Sequence, residues 1–539
     1  MDLLIINPRI IWFSRKSLIS FGPLALASYL DEKGFSVRVI DDNSMNKSYL
    51  INDYVDYINH HQVKIIGISV STLNAYNSYR LARELREKFP DKIIVAGGLH
   101  SYDSSEEICK QPSLDILFKG EAELSLSKYM AIAKENPRFL NRKVLLDEKY
   151  ISKIKEIKGI IIKTGNEIID TGVGEYVDNL DDLPFSNYDL INLEDYIKTR
   201  YDHHAVTNQI NFQRGCPYKC KFCKSSVISS LVRSNSAKYM VKQIEQRFDK
   251  YKLDTFFLTD SNFTIDRKRF ALFCSLMVSS GLSKKIKFII QTSIAISISD
   301  DEIEMLRDAG CSMFMVGVER FTDDCRKLIS KAGTEEQAKY LIKQIHEHGI
   351  KTSINIMLNF PFETEAIIDR ESKALDEIIP YVNFIYINYL SPMPGTSIYE
   401  NELENIYKKW YLREDVVRYQ MTYYDISFLI EGPVSLKLNY FQLNQNKINK
   451  IRHFKERYQW KGSMRVSSSF IVKGIVIADM SLGKMSYYVA KISPKLELLI
   501  FCPFKYLRLK GYKVLFNLFV AKSQKGDRSD KFELQAYFL

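Results

Sequence analysis

Arg214-Gly-Cys-Pro-Tyr-Lys-Cys-Lys-Phe-Cys223 is the stretch on which the reading of this chain turns. It sets three cysteines, Cys216, Cys220 and Cys223, in Cys-x3-Cys-x2-Cys spacing directly after a strand predicted over Gln209–Gln213. Three thiolates on so short a loop can converge on one metal centre, and thiolates suit zinc or iron–sulfur chemistry. Zinc normally takes four tetrahedral protein ligands. No fourth Cys or His stands beside the loop, although His203 and His204 lie not far upstream. Three thiolates would leave one iron of a cubane open. The other five cysteines, Cys109, Cys274, Cys311, Cys325 and Cys502, are scattered, a pattern of a reducing compartment rather than of a disulfide framework.

Beyond the loop, strands are predicted over Thr255–Thr259, Lys287–Gln291, Met313–Val318, Thr352–Met357 and Phe384–Asn388. Helices fall between them, among them Ser236–Tyr251, Asp300–Ala309 and Thr334–His348. With the strand before the loop, these six βα-like units over residues 205–400 predict a partial (β/α)6 barrel of TIM type. Functional side chains of such a fold lie at the C-terminal strand ends. Upstream, residues 1–135 alternate strand and helix at α/β spacing. Strands are predicted over Leu3–Asn7, Ser36–Ile40, Lys64–Ser71, Lys92–Ala96 and Leu114–Phe118, with helices over Gly22–Lys33 and Ala75–Lys88. This predicts a doubly wound, Rossmann-like parallel sheet whose ligand sits outside the carboxyl ends of the strands. Residues 136–204 read as a linker with a hairpin of Gly159–Lys163 and Glu167–Asp170. Residues 401–539, rich in Tyr and Phe, read as an α+β extension for substrate or partner selection.

The 539 residues are 46% hydrophobic and 26% charged, a globular balance that argues against disorder. No apolar run approaches the ~20 residues of a membrane span, and Met1–Pro8 reads as a buried strand rather than a signal peptide. A cytoplasmic protein is expected. The net charge of +11 resides in the C-terminal region: residues 401–539 hold 24 Lys+Arg against 12 Asp+Glu, and the rest 52 against 53. Such an excess attracts an anionic substrate, a membrane surface or a nucleic acid.

The cysteine loop, with Phe222 immediately before the third cysteine, resembles that of the radical S-adenosylmethionine (SAM) superfamily, and the resemblance runs from about Gln209 to Glu400. It implies a [4Fe–4S] cluster held by Cys216, Cys220 and Cys223, with SAM on the open iron and cleavage to a 5′-deoxyadenosyl radical. Looser matches fall at other strand ends. They are Asp260-Ser-Asn262, Gln291, Gly317-Val-Glu319-Arg320 (resembling a Gly-x-Glu element), Asn355 and Asn359-Phe-Pro361-Phe-Glu-Thr364. The last resembles Gly-x-Pro-Gly-Glu-Thr, with Asn359 and Phe362 where that element has glycine. Ser391-Pro-Met-Pro-Gly-Thr396 matches a Pro-x-Pro-Gly-Thr turn. The resemblance implies that Phe222, Asp260, Asn262, Gln291, Glu319, Asn355 and Pro361 line the SAM site.

Residues 1–135 resemble the cobalamin-binding domain often fused upstream of such a barrel. The matching segments are Gly22-Pro-Leu24, Ser71-Thr72-Leu73, Gly97-Gly98-Leu-His100 and Gly120-Glu121-Ala-Glu123. The resemblance implies that Ser71, Thr72, Leu73, Gly97, Gly98, His100, Gly120 and Glu121 meet cobalamin. Methionine-synthase-like domains ligate cobalt through Asp-x-His-x-x-Gly; here Asp41-Asp42-Asn43-Ser44-Met45 has no histidine. Together the two halves resemble the cobalamin-dependent radical SAM methyltransferases. These would act on an unactivated carbon of a specialised metabolite, lipid or peptide, with a reductant such as flavodoxin or ferredoxin. A cobalamin radical SAM cyclase or oxidative rearrangement enzyme shares the motifs. A nucleic-acid- or membrane-binding protein with a structural metal is the rival of another class. Methylthiotransferase fits poorly, because only Cys109 precedes residue 136.

Overall fold

The computed structural model describes residues 1–10, 19–44, 49–145, 148–164, 167–196, 209–404 and 409–412, with Phe454 and Tyr458. Most of the C-terminal extension, with His203, His204 and Cys502, lies outside the described residues. Two compact units are present. One gathers residues 1–217, 223–243 and the described part of 392–424; the other takes 218–222, 244–391 and the described residues beyond 424.

In the first unit, β1 (Leu3–Asn7), β2 (Val37–Asp41), β3 (Ile65–Ser69), β4 (Ile93–Gly97) and β5 (Ile116–Phe118) form a parallel sheet ordered β2-β1-β3-β4-β5. Every residue of β1 is buried, as a strand covered on both faces requires. The order reverses beside β1, the topological switch point of a doubly wound sheet. The helix over Ala75–Lys88 takes the predicted bounds and buries Tyr79, Ala82 and Leu85. A helix over Ile51–His60, for which the sequence reading has no counterpart, fills the crossover from β2 to β3. Its N-cap position holds Leu50, so the usual Ser/Thr/Asp/Asn start signal is missing. The linker hairpin forms as β6 (Ile160–Thr164) and β7 (Glu167–Asp170), but it is not free-standing. β6 pairs antiparallel with β5 and extends the first sheet to seven strands.

The second sheet has six strands in the order β15-β14-β13-β12-β11-β8, an open arrangement of βα units. β8 (Gln209–Ile210) is short, and Gln213-Arg214 forms a separate strand, β9, paired antiparallel with β10 (Arg233–Ser234). β11 (Thr255–Leu258), β12 (Lys287–Ser293), β13 (Cys311–Glu319), β14 (Lys351–Leu358) and β15 (Phe384–Tyr389) run parallel. Local chemistry fixes the helix starts between them. Ser299 with Glu302, and Thr334 with Gln337, form complete capping boxes at helices Asp300–Asp308 and Glu335–Glu347. Ile289, Met313 and Phe384 pack with Phe257, Met315 and Tyr386 into a core cluster. Among the described residues no helix is long and apolar enough to cross a membrane.

Candidate active site

The carboxyl ends of the first sheet carry the segments singled out upstream of the barrel. Gly98 has φ +117°, and a Cβ there would stand 2.6 Å from the Val70 carbonyl oxygen. Its glycine is therefore required by its own fold, before any ligand is considered. Gly97 has only ordinary contacts around a notional Cβ, and Gly120 turns through φ +93°. Ser71 Oγ is buried without a hydrogen-bond partner among the described residues, while its backbone N–H donates to Asn74 Oδ1 at 2.7 Å. Thr72 Oγ1 instead lies 3.1 Å from His100 Nδ1. His100 Nε2 stands 3.3 Å from Glu107 Oε1, which also accepts from Tyr79 Oη at 3.0 Å. Tyr411 Oη and Lys409 Nζ reach Glu107 Oε2 at 3.2 and 3.1 Å. Burial holds His100 below its ordinary pKa, against the pull of Glu107. The neutral imidazole satisfies all these atoms if Nε2–H donates to Glu107 and Nδ1 accepts from Thr72. Thus Ser71 Oγ is left without a partner among the described residues, whereas Thr72 and His100 are engaged within the protein. Leu73 follows them in a turn.

Glu121 is engaged as well: Arg214 Nη1 lies 2.5 Å from Oε2, and Arg233 Nη2 contacts Oε1. A cavity of about 300 Å³ opens along β2, lined by Asp41, Tyr49, Tyr57 and Tyr196 among others, and contains none of the candidate residues.

The cysteine loop leaves β9 through Gly215, whose φ is +85° and whose notional Cβ would lie 2.0 Å from the Leu231 carbonyl oxygen. Only glycine makes that turn. Cys216 N–H donates to Ser229 O at 3.1 Å, and the Cys223 carbonyl accepts from Ser226 N–H and Oγ. Cys216 and Cys220 are buried and Cys223 is half-buried; all seven described cysteines are thiols rather than disulfides. Among the described residues no three His, Cys, Asp or Glu side chains already stand in a metal-ligating array. The fit to a cluster therefore rests on the donor set: three thiols, one loop, and a neck whose conformation glycine and backbone hydrogen bonds fix.

In the second unit, Phe222 packs edge-on against Phe360, with ring centroids 6.0 Å apart. Asp260 is fully buried in an ion pair with Arg269 at 2.8 Å, and Asn262 is buried nearby in sequence. Neither caps the helix that follows; that role falls to Asp266, which accepts from Arg269 N–H. Gln291, Asn355 and Pro361 are half-buried. β13 and β14 slip register between Gly317 and Glu319, and Glu319 adopts φ +63°. A bulge of this kind re-aims a side chain. Burial pushes the Glu319 carboxyl above its usual pKa, opposed by Lys331, whose Nζ is 3.9 Å away, and by Arg326 and Arg320.

One residue at this edge was invisible to the motif reading except as a departure. Asn359 follows β14 with φ +68°, is fully buried, and has no hydrogen-bond partner for either side-chain amide atom among the described residues. Its backbone N–H donates to Glu363 Oε2 at 2.7 Å. Glu363 also pairs with the fully buried Arg320, which lies over the Phe360 ring. A strained, buried and unsatisfied carboxamide costs stability on its own and calls for a partner. Pro392–Thr396 forms the turn read from sequence: Thr396 N–H and Oγ1 both donate to Met393 O. Gly395 is required there because a Cβ would lie 2.8 Å from Asp103 Cβ.

Residues 210–370 match the radical SAM superfamily and residues 15–129 the B12 binding domain. The chain is 22% identical to the anaerobic magnesium-protoporphyrin IX monomethyl ester cyclase of Cereibacter sphaeroides, over 83% of this chain and 72% of that one. It is 25% identical to the bacteriochlorophyllide d C-8(2)-methyltransferase of Chlorobaculum tepidum, over 68% and 73%. Among solved structures, the radical SAM methyltransferase TsrM of Kitasatospora setae, with cobalamin and a [4Fe–4S] cluster bound, superposes with a TM-score of 0.61. It is 15% identical and covers 76% of each chain, a likeness of fold.

Proposed function

The chain belongs to the radical SAM enzymes that carry a B12-binding domain and use a [4Fe–4S] cluster, SAM and cobalamin, and on that premise we propose that it transfers a methyl group to an unactivated carbon of a small-molecule, lipid or peptide substrate. The observation that carries this reading is the tandem of a B12-binding sheet and a barrel whose first loop presents three thiols. When bound, the cluster and SAM supply a carbon-centred radical and cobalamin supplies the methyl group.

The chain's own residues bind, orient and exclude water. Cys216, Cys220 and Cys223 hold the cluster. Phe222, packed on Phe360, shields one side of it. Glu319 would offer its half-buried carboxyl to the amino group of SAM, and the Asn359 amide would offer a donor and an acceptor to its polar groups. Asp260 and Asn262 support this edge, with Gln291, Asn355 and Pro361 along it. On the first sheet, Ser71 Oγ and the backbones of Leu73, Gly97, Gly98 and Gly120 receive the corrinoid, while Thr72 and His100 shape the edge from behind. Residues 1–135 and 205–400 serve as cobalamin and SAM domains. The basic region after residue 400 selects the substrate or touches a membrane surface, a flavodoxin or ferredoxin delivers electrons, and the protein works in the cytoplasm.

Anaerobic reconstitution with iron, sulfide and hydroxocobalamin tests this. Near-stoichiometric corrinoid and cluster, with SAM cleavage and a product heavier by one methyl group, are expected. A cluster without corrinoid would remove methyl transfer from the reading. The cyclase relative, matched over most of this chain, favours ring closure as the second reading, and a product of altered hydrogen count without the added methyl would select it.

A further inference from the structure

The cysteine loop is the excursion between β9 and β10, whose register sets Arg214 directly opposite Arg233. Like charges facing each other across an antiparallel pair repel, and side chains in such positions stand within about 5 Å at Cβ. Left alone, this neck would spread. Glu121, from the loop after β5, meets both: one carboxylate oxygen takes Arg214 Nη1 at 2.5 Å and the other takes Arg233 Nη2. Glu123 accepts from Arg214 Nη2 at 2.6 Å. Burial works against the Arg214 charge, yet Glu123 and Glu121 hold its guanidinium above its ordinary pKa. Arg233 is further fixed by the Val177 carbonyl and lies 4.7 Å from the centre of the Tyr176 ring. Lys224, the residue after the third cysteine, pairs with Asp103 and donates to Pro394 O at 2.8 Å. Three cations on or beside the cysteine loop thus meet three carboxylates from the segments that follow β4 and β5, Glu123 being the first residue of the helix Glu123–Glu135.

We infer that Glu121, seconded by Glu123 and Asp103, is a positioning residue that staples the neck of the cysteine loop to the sheet carrying the cobalamin segments, rather than a contact to cobalamin. The inference rests on the reading of these cysteines as cluster ligands. The staple fixes the loop's exit and return strands and neutralises its flanking cations at the same place. Through it, the loops that receive one cofactor hold the ligands of the other in register.

The test is Glu121→Gln in the full chain, with Glu121→Gln/Arg233→Gln as its partner. The double variant removes the like-charge pair while leaving Arg214 on Glu123. In the unreconstituted protein, amide hydrogen exchange over residues 214–234 rises several-fold in Glu121→Gln and returns toward wild type in the double variant. After anaerobic reconstitution, Glu121→Gln keeps the wild-type corrinoid content but retains several-fold less iron. Its cluster EPR signal broadens, and both properties recover in the double variant. Loss of corrinoid with normal exchange and normal iron would make Glu121 a cobalamin contact and overturn the staple. Wild-type exchange and iron in Glu121→Gln, or a double variant no better than the single, would overturn it too. Failure of the wild-type chain itself to bind iron or corrinoid would strike the proposed function, and the exchange measurement would still judge the staple.

Discussion

The two parallel sheets present the same kind of edge in opposite ways. At the first, most polar side chains near the candidate loops are satisfied within the protein: His100 by Thr72 and Glu107, Glu121 by Arg214 and Arg233. Ser71 Oγ is left without a partner among the described residues. At the second, two groups are left wanting among the described residues: Glu319 has a long ion pair to Lys331, and both side-chain amide atoms of Asn359 lack partners. The first edge is built to cradle by shape, the second to grip by side-chain chemistry. Stability favours the first arrangement and binding the second, because an unsatisfied buried polar group costs free energy until a ligand meets it.

The largest effect expected falls on the cysteine loop. Replacing Cys216, Cys220 or Cys223 by Ala reduces iron content and 5′-deoxyadenosine formation to background, while circular dichroism and corrinoid binding show the first sheet intact. Iron that survives in all three variants would dissolve the chemical half of the contrast. Next comes Gly98→Ala. The left-handed backbone and the Val70 carbonyl together predict a loss of about 3 kcal/mol, read as a lowered melting temperature together with reduced corrinoid content. An unchanged melting temperature would show that this cradle is not held by close backbone packing.

Asn359→Gly sharpens the comparison further, because its two readouts move in opposite directions. Glycine relieves φ +68° and deletes the orphaned amide, so the melting temperature rises, by about 1 kcal/mol in stability. The affinity for SAM, measured by equilibrium dialysis, falls by about tenfold, the equivalent of one good hydrogen bond. A variant both more stable and equally avid would make Asn359 idle.

The smallest effect is a pH dependence confined to the first edge. His100 lies below its ordinary 6.5, and Glu107 below 4.5 because hydrogen bonds from His100 and Lys409 outweigh the opposing effect of burial. Both groups bind protons more readily when unfolded. Their stabilisation is complete above pH 6.5, declines first through His100 as pH falls toward its folded value, and declines again below 4.5 through Glu107. His100→Gln should flatten the upper part of this decline in thermal melts between pH 5 and about 7. An identical slope in the variant would remove His100 from the network's proton balance.

Local signals were enough wherever the chain's near neighbours settle the outcome. Apolar runs gave the strands of both sheets, and the Cys-x3-Cys-x2-Cys spacing gave the donor set. The helix at Ile51–His60 was missed because it opens on Leu50, with no polar cap to announce it. Glu121 reads in sequence as part of a ligand-edge motif; in the fold both its oxygens belong to arginines about a hundred residues away.

By itself the sequence determined two α/β units and a three-thiol loop, because periodicity and spacing are properties of short stretches of chain. Tertiary structure alone decided that the hairpin at β6 and β7 joins the first sheet, that Arg214 and Arg233 face each other across one carboxylate, and that the buried side-chain amide of Asn359 has no partner among the described residues. Such outcomes depend on which distant groups the packed chain brings within hydrogen-bonding reach, and on which it leaves out.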